Sequence, residues 1–149
     1  MDKMLGGYQA LQIRLLNGRI FQKLLSKESD AQYRSEQGKI LDILWQKEDD
    51  RATATDIALA SGLANNTLTS MIKKLAEQGL VTIEQSNQDK RKKFVVLTEL
   101  GWEQKKIGDR VSKELGEIFY QGFSDQEIQE FQDFQKRIIN NLKKKENEE

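Results

Sequence analysis

Within residues 65–74 the chain carries two carboxamides, three hydroxyls and two ammonium groups, at Asn65, Asn66, Thr67, Thr69, Ser70, Lys73 and Lys74. A second cluster, Asp89-Lys90-Arg91-Lys92-Lys93, follows. Carboxamides pair bidentately with the edge of adenine, and hydroxyls reach bases or phosphates. Lysines meet phosphates and add affinity without sequence information. Arginine suits a narrowed minor groove. Asp89 would orient Arg91 or hold its turn rather than touch a polyanion. Each cluster alone also fits a solvated surface, and the asparagines also fit a helix cap. The clusters gain meaning from the elements that carry them.

The composition removes other chemistries. The chain has no cysteine and no histidine. Disulfides, thiol redox switches, the usual general base and the commonest transition-metal ligands are therefore absent. No loop has the ligand spacing of a carboxylate cation site, and Asp49-Asp50 reads as a solvated helix end. No glycine-rich phosphate loop is present. We expect no catalytic residues, no metal and no cofactor. There is no proline, which permits long uninterrupted helices. No apolar run is long enough to span a membrane, and the start MDKMLGG lacks signal-peptide character, so a cytoplasmic protein is expected. Net charge is zero, but residues 63–98 hold six basic side chains (73, 74 and 90–93) against three acidic ones (77, 84 and 89). A local positive footprint suffices for a nucleic-acid surface.

Helical spacing of Leu5, Tyr8, Leu11, Leu15, Leu16, Ile20, Phe21, Leu24 and Leu25 predicts an amphipathic helix over 5–25, and Ser35 is expected to cap a second over 35–47. Thr53 and Asp56 form an imperfect capping box for a short helix with Ile57, Ala58 and Leu59 facing inward, ended by Gly62. The next helix runs over 65–78, buries Leu68, Met71, Ile72 and Leu75, and stops at Gly79. Strands at 80–84 and 94–97 flank the polar loop QSNQDKRK. Thr98 caps a long helix to about Tyr120, with Ile107, Val111, Leu115, Ile118 and Phe119 on one stripe. Ser124 and Glu127 open a last helix carrying Ile128, Phe131, Phe134, Ile138 and Leu142, followed by a frayed charged tail, KKKENEE. The architecture is mainly α with a small β-hairpin wing. A winged helix-turn-helix at 35–100 sits between a helical arm and linker at 1–34 and two helices and a tail at 101–149. The apolar arms at both ends lack a partner within one chain.

These residues carry a resemblance. Leu75-x-x-x-Gly79-Leu80-Val81, Asp89-x-Arg91 and Leu97-Thr98-x-x-Gly101 resemble the MarR family of bacterial transcriptional regulators. The order of helices matches over nearly the whole chain. At the positions of Ser70, Ile83 and Glu84 family members often carry arginine, and Ala64 stands where serine is usual. The resemblance implies an obligate homodimer joined through the first and last two helices. It also implies a small aromatic or phenolic effector that releases DNA from a cleft, for which Tyr8, Leu11, Arg14, Leu15, Leu44 and Trp45 are the candidates; ordinary core and interface packing is the competing account of those six. The expected function is sequence-specific double-stranded DNA binding as a repressor on a pseudo-palindromic operator. The alternative is a winged-helix protein-interaction module that no longer binds DNA, a reading that Glu84 and the missing arginines favour. Nothing in the sequence supports a small helical enzyme.

Overall fold

A computed structural model describes residues 3–148. Met1 and Asp2 of the MDKMLGG start and Glu149 of the tail lie outside the described residues. The elements run α1 (Gly6–Ser26), α2 (Ser35–Trp45), β1 (Arg51–Thr53), α3 (Ala54–Ser61), α4 (Asn65–Glu77), β2 (Val81–Gln85), β3 (Lys93–Leu97), α5 (Glu99–Phe119) and α6 (Asp125–Glu146). This is the mainly helical winged-helix architecture expected from the spacing, but the sheet has three strands, in the order β1-β3-β2. The extra strand pairs Arg51, Ala52 and Thr53 antiparallel with Val96, Val95 and Phe94. Three residues are too few to show an alternating pattern, so pairing across forty positions reveals a strand that local sequence does not.

The chain forms two compact units that divide between Leu115 and Gly116. In the first, Leu25, Ile40, Leu41, Leu44, Ile57, Leu75, Leu80, Val81 and Val111 are almost wholly buried. They come from α1, α2, α3, α4, the sheet and α5, so one core fixes the helix-turn-helix against its flanking elements. Leu59 departs from expectation and is 81% exposed. At 3.6 residues per turn, positions two apart lie on opposite faces, so Ile57 and Leu59 cannot both point inward. Ser35 is not the cap of α2. Arg34 holds that place, and its N–H donates to Gln37 Oε1 at 2.9 Å. Ser35 is the first helical residue, and Gln22 of α1 accepts its N–H at 2.9 Å.

Thr53 and Asp56 close both halves of their capping box. Gly62 then turns the chain at φ 71°, in the left-handed region. α4 ends in a Schellman motif: the Gly79 N–H donates to the Ala76 carbonyl and the Leu80 N–H to the Leu75 carbonyl, both at 3.0 Å. Gln78 is therefore the cap and Gly79 the residue after it. From there the chain enters β2 beneath the start of α5. Thr98 Oγ1 accepts the Gly101 N–H at 3.1 Å and donates to the Gly79 carbonyl at 2.7 Å. The Gly101 carbonyl accepts the indole N–H of buried Trp45 at 2.9 Å. Trp45 packs edge-on to Tyr33, and Gly108 lets both rings approach α5. Burial pushes the Tyr33 hydroxyl up to about 12, with Asp42 and Asp109 opposing its ionisation further. It stays protonated throughout the physiological range.

In the second unit Ser124 and Glu127 form the expected capping box. Phe119, Tyr120, Phe123 and Phe131 cluster at the turn, with ring centroids 4.8–6.2 Å apart. α6 continues through Lys143, Lys144 and Lys145 to Glu146, so the basic part of the tail is helical rather than frayed. Lysines in a last turn complement the negative end of the helix dipole. No residue of α6 is buried, and Phe134, Ile138 and Leu142 are each more than half exposed.

Candidate nucleic-acid interface

α4 is amphipathic. Leu68, Ile72 and Leu75 anchor it in the core, with Met71 half-buried beside them. That leaves Asn65, Asn66, Thr67, Thr69, Ser70, Lys73 and Lys74 exposed, as the spacing predicts. Ala64 stands at the N-cap and offers no side-chain acceptor. Asn66 Oδ1 instead takes the Thr67 N–H at 2.8 Å, while no bond from the Asn65 amide is seen among the described residues. Of the two asparagines, only Asn66 has its amide oxygen engaged within the helix start. Thr69 donates its hydroxyl to the Asn65 carbonyl at 2.8 Å, which leaves the oxygen's lone pairs able to accept.

The wing is built from the antiparallel pair β2–β3, in which Val81, Ile83 and Gln85 face Leu97, Val95 and Lys93. The turn between them is held by side chains. Ser86 Oγ accepts the N–H groups of Gln88 and Asp89, both at 3.2 Å. Gln85 Nε2 donates to the Lys90 carbonyl at 2.6 Å. Asp89 Oδ1 accepts both the backbone N–H of Arg91, at 3.0 Å, and its Nε, at 3.2 Å. That clamp leaves the terminal nitrogens of Arg91 facing outward on a side chain that is 91% exposed. Lys90, Lys92 and Lys93 are exposed beside it. Sequence reasoning identifies Asp89 but passes over Ser86 and Gln85. A serine followed by Asn-Gln-Asp is itself a turn signal.

The backbone N–H of Arg91, then its side chain, then the charge of Lys92 hold the Asp89 carboxyl below its ordinary range. A group with a lowered folded value supports the fold fully above its unfolded value and loses that support as pH falls through the folded one. The clamp is thus complete at neutral pH and opens only in acid below the usual carboxylate range. We expect Asp89→Ala to weaken any anion binding by the wing several-fold at pH 7, with the unfolding midpoint almost unchanged. DNA titrations between pH 8 and 5.5 should show no step from Asp89 in the unmodified protein.

Glu84, an acidic residue near this surface, is engaged. Arg51 reaches its Oε2 at 3.3 Å and lies 5.8 Å from the centre of the Phe94 ring. The missed strand β1 is what brings Arg51 here, and it offsets the negative charge that Glu84 adds to the wing. Lys73 and Lys93 line a groove between α4 and the sheet whose apolar floor includes Ile72, Ala76, Ile83 and Val95.

The six cleft candidates lie on α1 and α2. Leu44 and Trp45 are buried in the core, while Tyr8, Leu11, Arg14 and Leu15 lie exposed on α1. Among the described residues there is no cluster of three or more His, Cys, Asp or Glu side chains that could hold a metal, and no helix is long and apolar enough to cross a membrane.

The sequence model of the MarR family matches residues 34–93, which run from the cap of α2 to the first residue of β3. No curated protein sequence matches the chain. Among solved structures, a MarR transcriptional regulator from Methanosarcina mazei Go1 is similar with a TM-score of 0.83 at 22% identity, over 97% of this chain and 93% of that one. S. aureus MepR in complex with DNA is similar with a TM-score of 0.82 at 19% identity, over 93% and 99%. AbsC, a MarR family transcriptional regulator from Streptomyces coelicolor, follows with a TM-score of 0.81 at 23% identity, over 96% of each chain. The three share the fold over nearly the full length of this chain. The central region of the chain thus matches the MarR family model, and its fold is that of solved MarR family regulators.

Proposed function

We propose that the protein is a sequence-specific double-stranded DNA-binding transcriptional regulator that acts as a homodimer. The observation that carries this reading is the pairing of a polar, lysine-bearing helix face with a clamped basic wing on one shared core. Asn65, Asn66, Thr67, Thr69 and Ser70 would read base edges in the major groove, and Lys73 and Lys74 would hold phosphates. Arg91 would enter the adjacent minor groove, and Lys90, Lys92 and Lys93 would meet the backbone. Neither action requires catalysis or a cofactor.

Dimerisation is supported by apolar side chains that one chain leaves in water. On α1 these include Tyr8, Leu11 and Leu15, and on α6 Phe134, Ile138 and Leu142, each set spaced by three or four residues along one face. Phe131 is a poor probe of such an interface, because its ring packs against Phe119 and Tyr120 of its own chain. We therefore expect Ile138→Asp with Leu142→Asp to yield a folded monomer by sedimentation equilibrium. A persistent dimer would place the interface elsewhere. Two-fold symmetry calls for a pseudo-palindromic operator with half-sites about one helical turn apart.

We read the regulator as a repressor, released by a small aromatic or phenolic effector. A ligand acts this way by favouring the state whose reading helices are wrongly spaced. With Leu44 and Trp45 in the core, a pocket at Tyr8, Leu11, Arg14 and Leu15 would need walls from the second subunit. The protein-interaction reading drew support from Glu84, and the Arg51 pair weakens that support. Salt-dependent DNA binding tests the choice: six to ten phosphate contacts per dimer predict a loss of about 10³ to 10⁵ in affinity between 50 and 200 mM salt. Affinity insensitive to salt would favour the interaction module.

A further inference from the structure

Two polar side chains, Gln37 and Gln104, are buried among the described residues, with 4% and 3% exposure. Both belong to one chain of amide hydrogen bonds around the irregular segment 27–34. Gln104 of α5 accepts the Gln32 N–H at 2.8 Å through Oε1 and donates to the Asp30 carbonyl at 3.2 Å through Nε2. The Gln32 carbonyl accepts Nε2 of Gln78 at 3.0 Å. Gln78 Oε1 accepts Nε2 of Gln37 at 2.6 Å, and Gln37 Oε1 accepts the Arg34 N–H. Gln22 of α1 extends the set by accepting the Ser35 N–H. Side chains from α1, α2, α5 and the end of α4 thus meet on one short segment. Gln37, Gln78 and Gln104 each use both a donor and an acceptor, so the direction of every bond is fixed.

A hydrophobic residue would fill the same space without the cost of burying an amide. What a fully satisfied polar network adds is a single geometry. Its placement says which geometry. Gln78 caps the C-terminal end of α4, and Asn65 lies at the other end, about 20 Å away at 1.5 Å per residue. A tilt of about 5° at Gln78 moves Asn65 by about 1.7 Å along that lever, far more than a hydrogen bond to a base edge tolerates. The network carries no charge, so it holds this angle at any pH. The nearby Glu28–Arg110 pair, at 3.1 Å, ties the same segment to α5 by charge instead.

We propose that Gln37 and Gln78 are positioning residues for DNA reading: they set the angle of α4 against α1, α2 and α5 and touch no DNA themselves. The inference rests on the DNA-binding reading above. The experiment compares the full-length protein with Gln78→Met and Gln78→Glu. Methionine removes both bonds, whereas glutamate keeps an acceptor for Gln37 and loses the donor to Gln32. Gln78 is exposed, so both variants should fold, with melting temperatures within a few degrees of the parent. Affinity is measured for a duplex selected from random sequence by the parent protein and for a scrambled duplex, with the salt slope of each. Amide NMR shifts are recorded on the free proteins.

The expected result is a loss of about tenfold in specific affinity in both variants, with affinity for the scramble and the salt slope unchanged, and with shifts at Asn65–Thr69 moving in the absence of DNA. Unchanged specific affinity overturns the inference. So does a parallel fall in both affinities together with a lower melting temperature, the mark of a merely structural role. A parent protein with no preference for any duplex contradicts the DNA-binding reading itself. The free-protein shifts then decide alone: still resonances at Asn65–Thr69 reject the mechanical link, and moving ones retain it.

Discussion

Gly101→Ala is expected to destabilise the protein by about 3 kcal/mol or more, at the upper end of what overpacking costs. A Cβ at this position would collide with the Leu80 carbonyl and lie 2.9 Å from Leu97 Cδ2. The carbonyl is backbone and accepts the Thr98 N–H at 3.1 Å, so it cannot swing aside as a side chain can. The damage would spread because Gly101 is shared by three interactions. Its N–H is bound by Thr98, its carbonyl takes the Trp45 indole, and its bare Cα lets α5 lie on the end of α4. Urea unfolding followed by tryptophan fluorescence measures the effect. A cost below about 1 kcal/mol would mean that α5 and Leu80 separate easily, contrary to the packing described.

The second large effect belongs to the wing. Replacing Lys90, Lys92 and Lys93 together by alanine would remove up to three phosphate contacts per protomer and six per dimer. At about 0.9 per neutralised phosphate, the slope of log affinity against log salt should flatten by about five. Arg91→Ala should behave differently. It removes a minor-groove contact and is expected to lower specific affinity by about 1–3 kcal/mol. None of these substitutions touches the core, since all four side chains are exposed. Circular dichroism should therefore remain that of the parent. If the triple variant keeps its salt slope, the wing does not lie along a phosphate backbone.

Much of the fold was legible in residue spacing because most elements are amphipathic and capped. Thr53-x-x-Asp56, Ser124-x-x-Glu127 and Gly79 mark boundaries that the fold keeps within a residue or so. The failures share a cause: they depend on partners distant in sequence. β1 exists because β3 offers it a free edge. Ser35 loses the cap position because Gln37 reaches back to Arg34 and Gln22 arrives from α1. Leu59 points to water because Ile57 takes the inward place. At the candidate interface, exposure of the α4 residues follows directly from their period. The amide network around 27–34 had no sequence signal, since glutamine is common on helix surfaces and only the fold brings Gln37, Gln78 and Gln104 to one segment.

The central claim is that the α4 face and the wing together recognise a particular duplex. Fluorescence anisotropy of the purified protein against the DNA upstream of its own gene and against a scrambled duplex, at 50 and 200 mM salt, addresses it most directly. The account predicts tight binding to the upstream DNA, weak binding to the scramble, and a fall of about 10³ to 10⁵ in affinity across that salt range. Equal affinity for both duplexes, or affinity that salt does not alter, would contradict it.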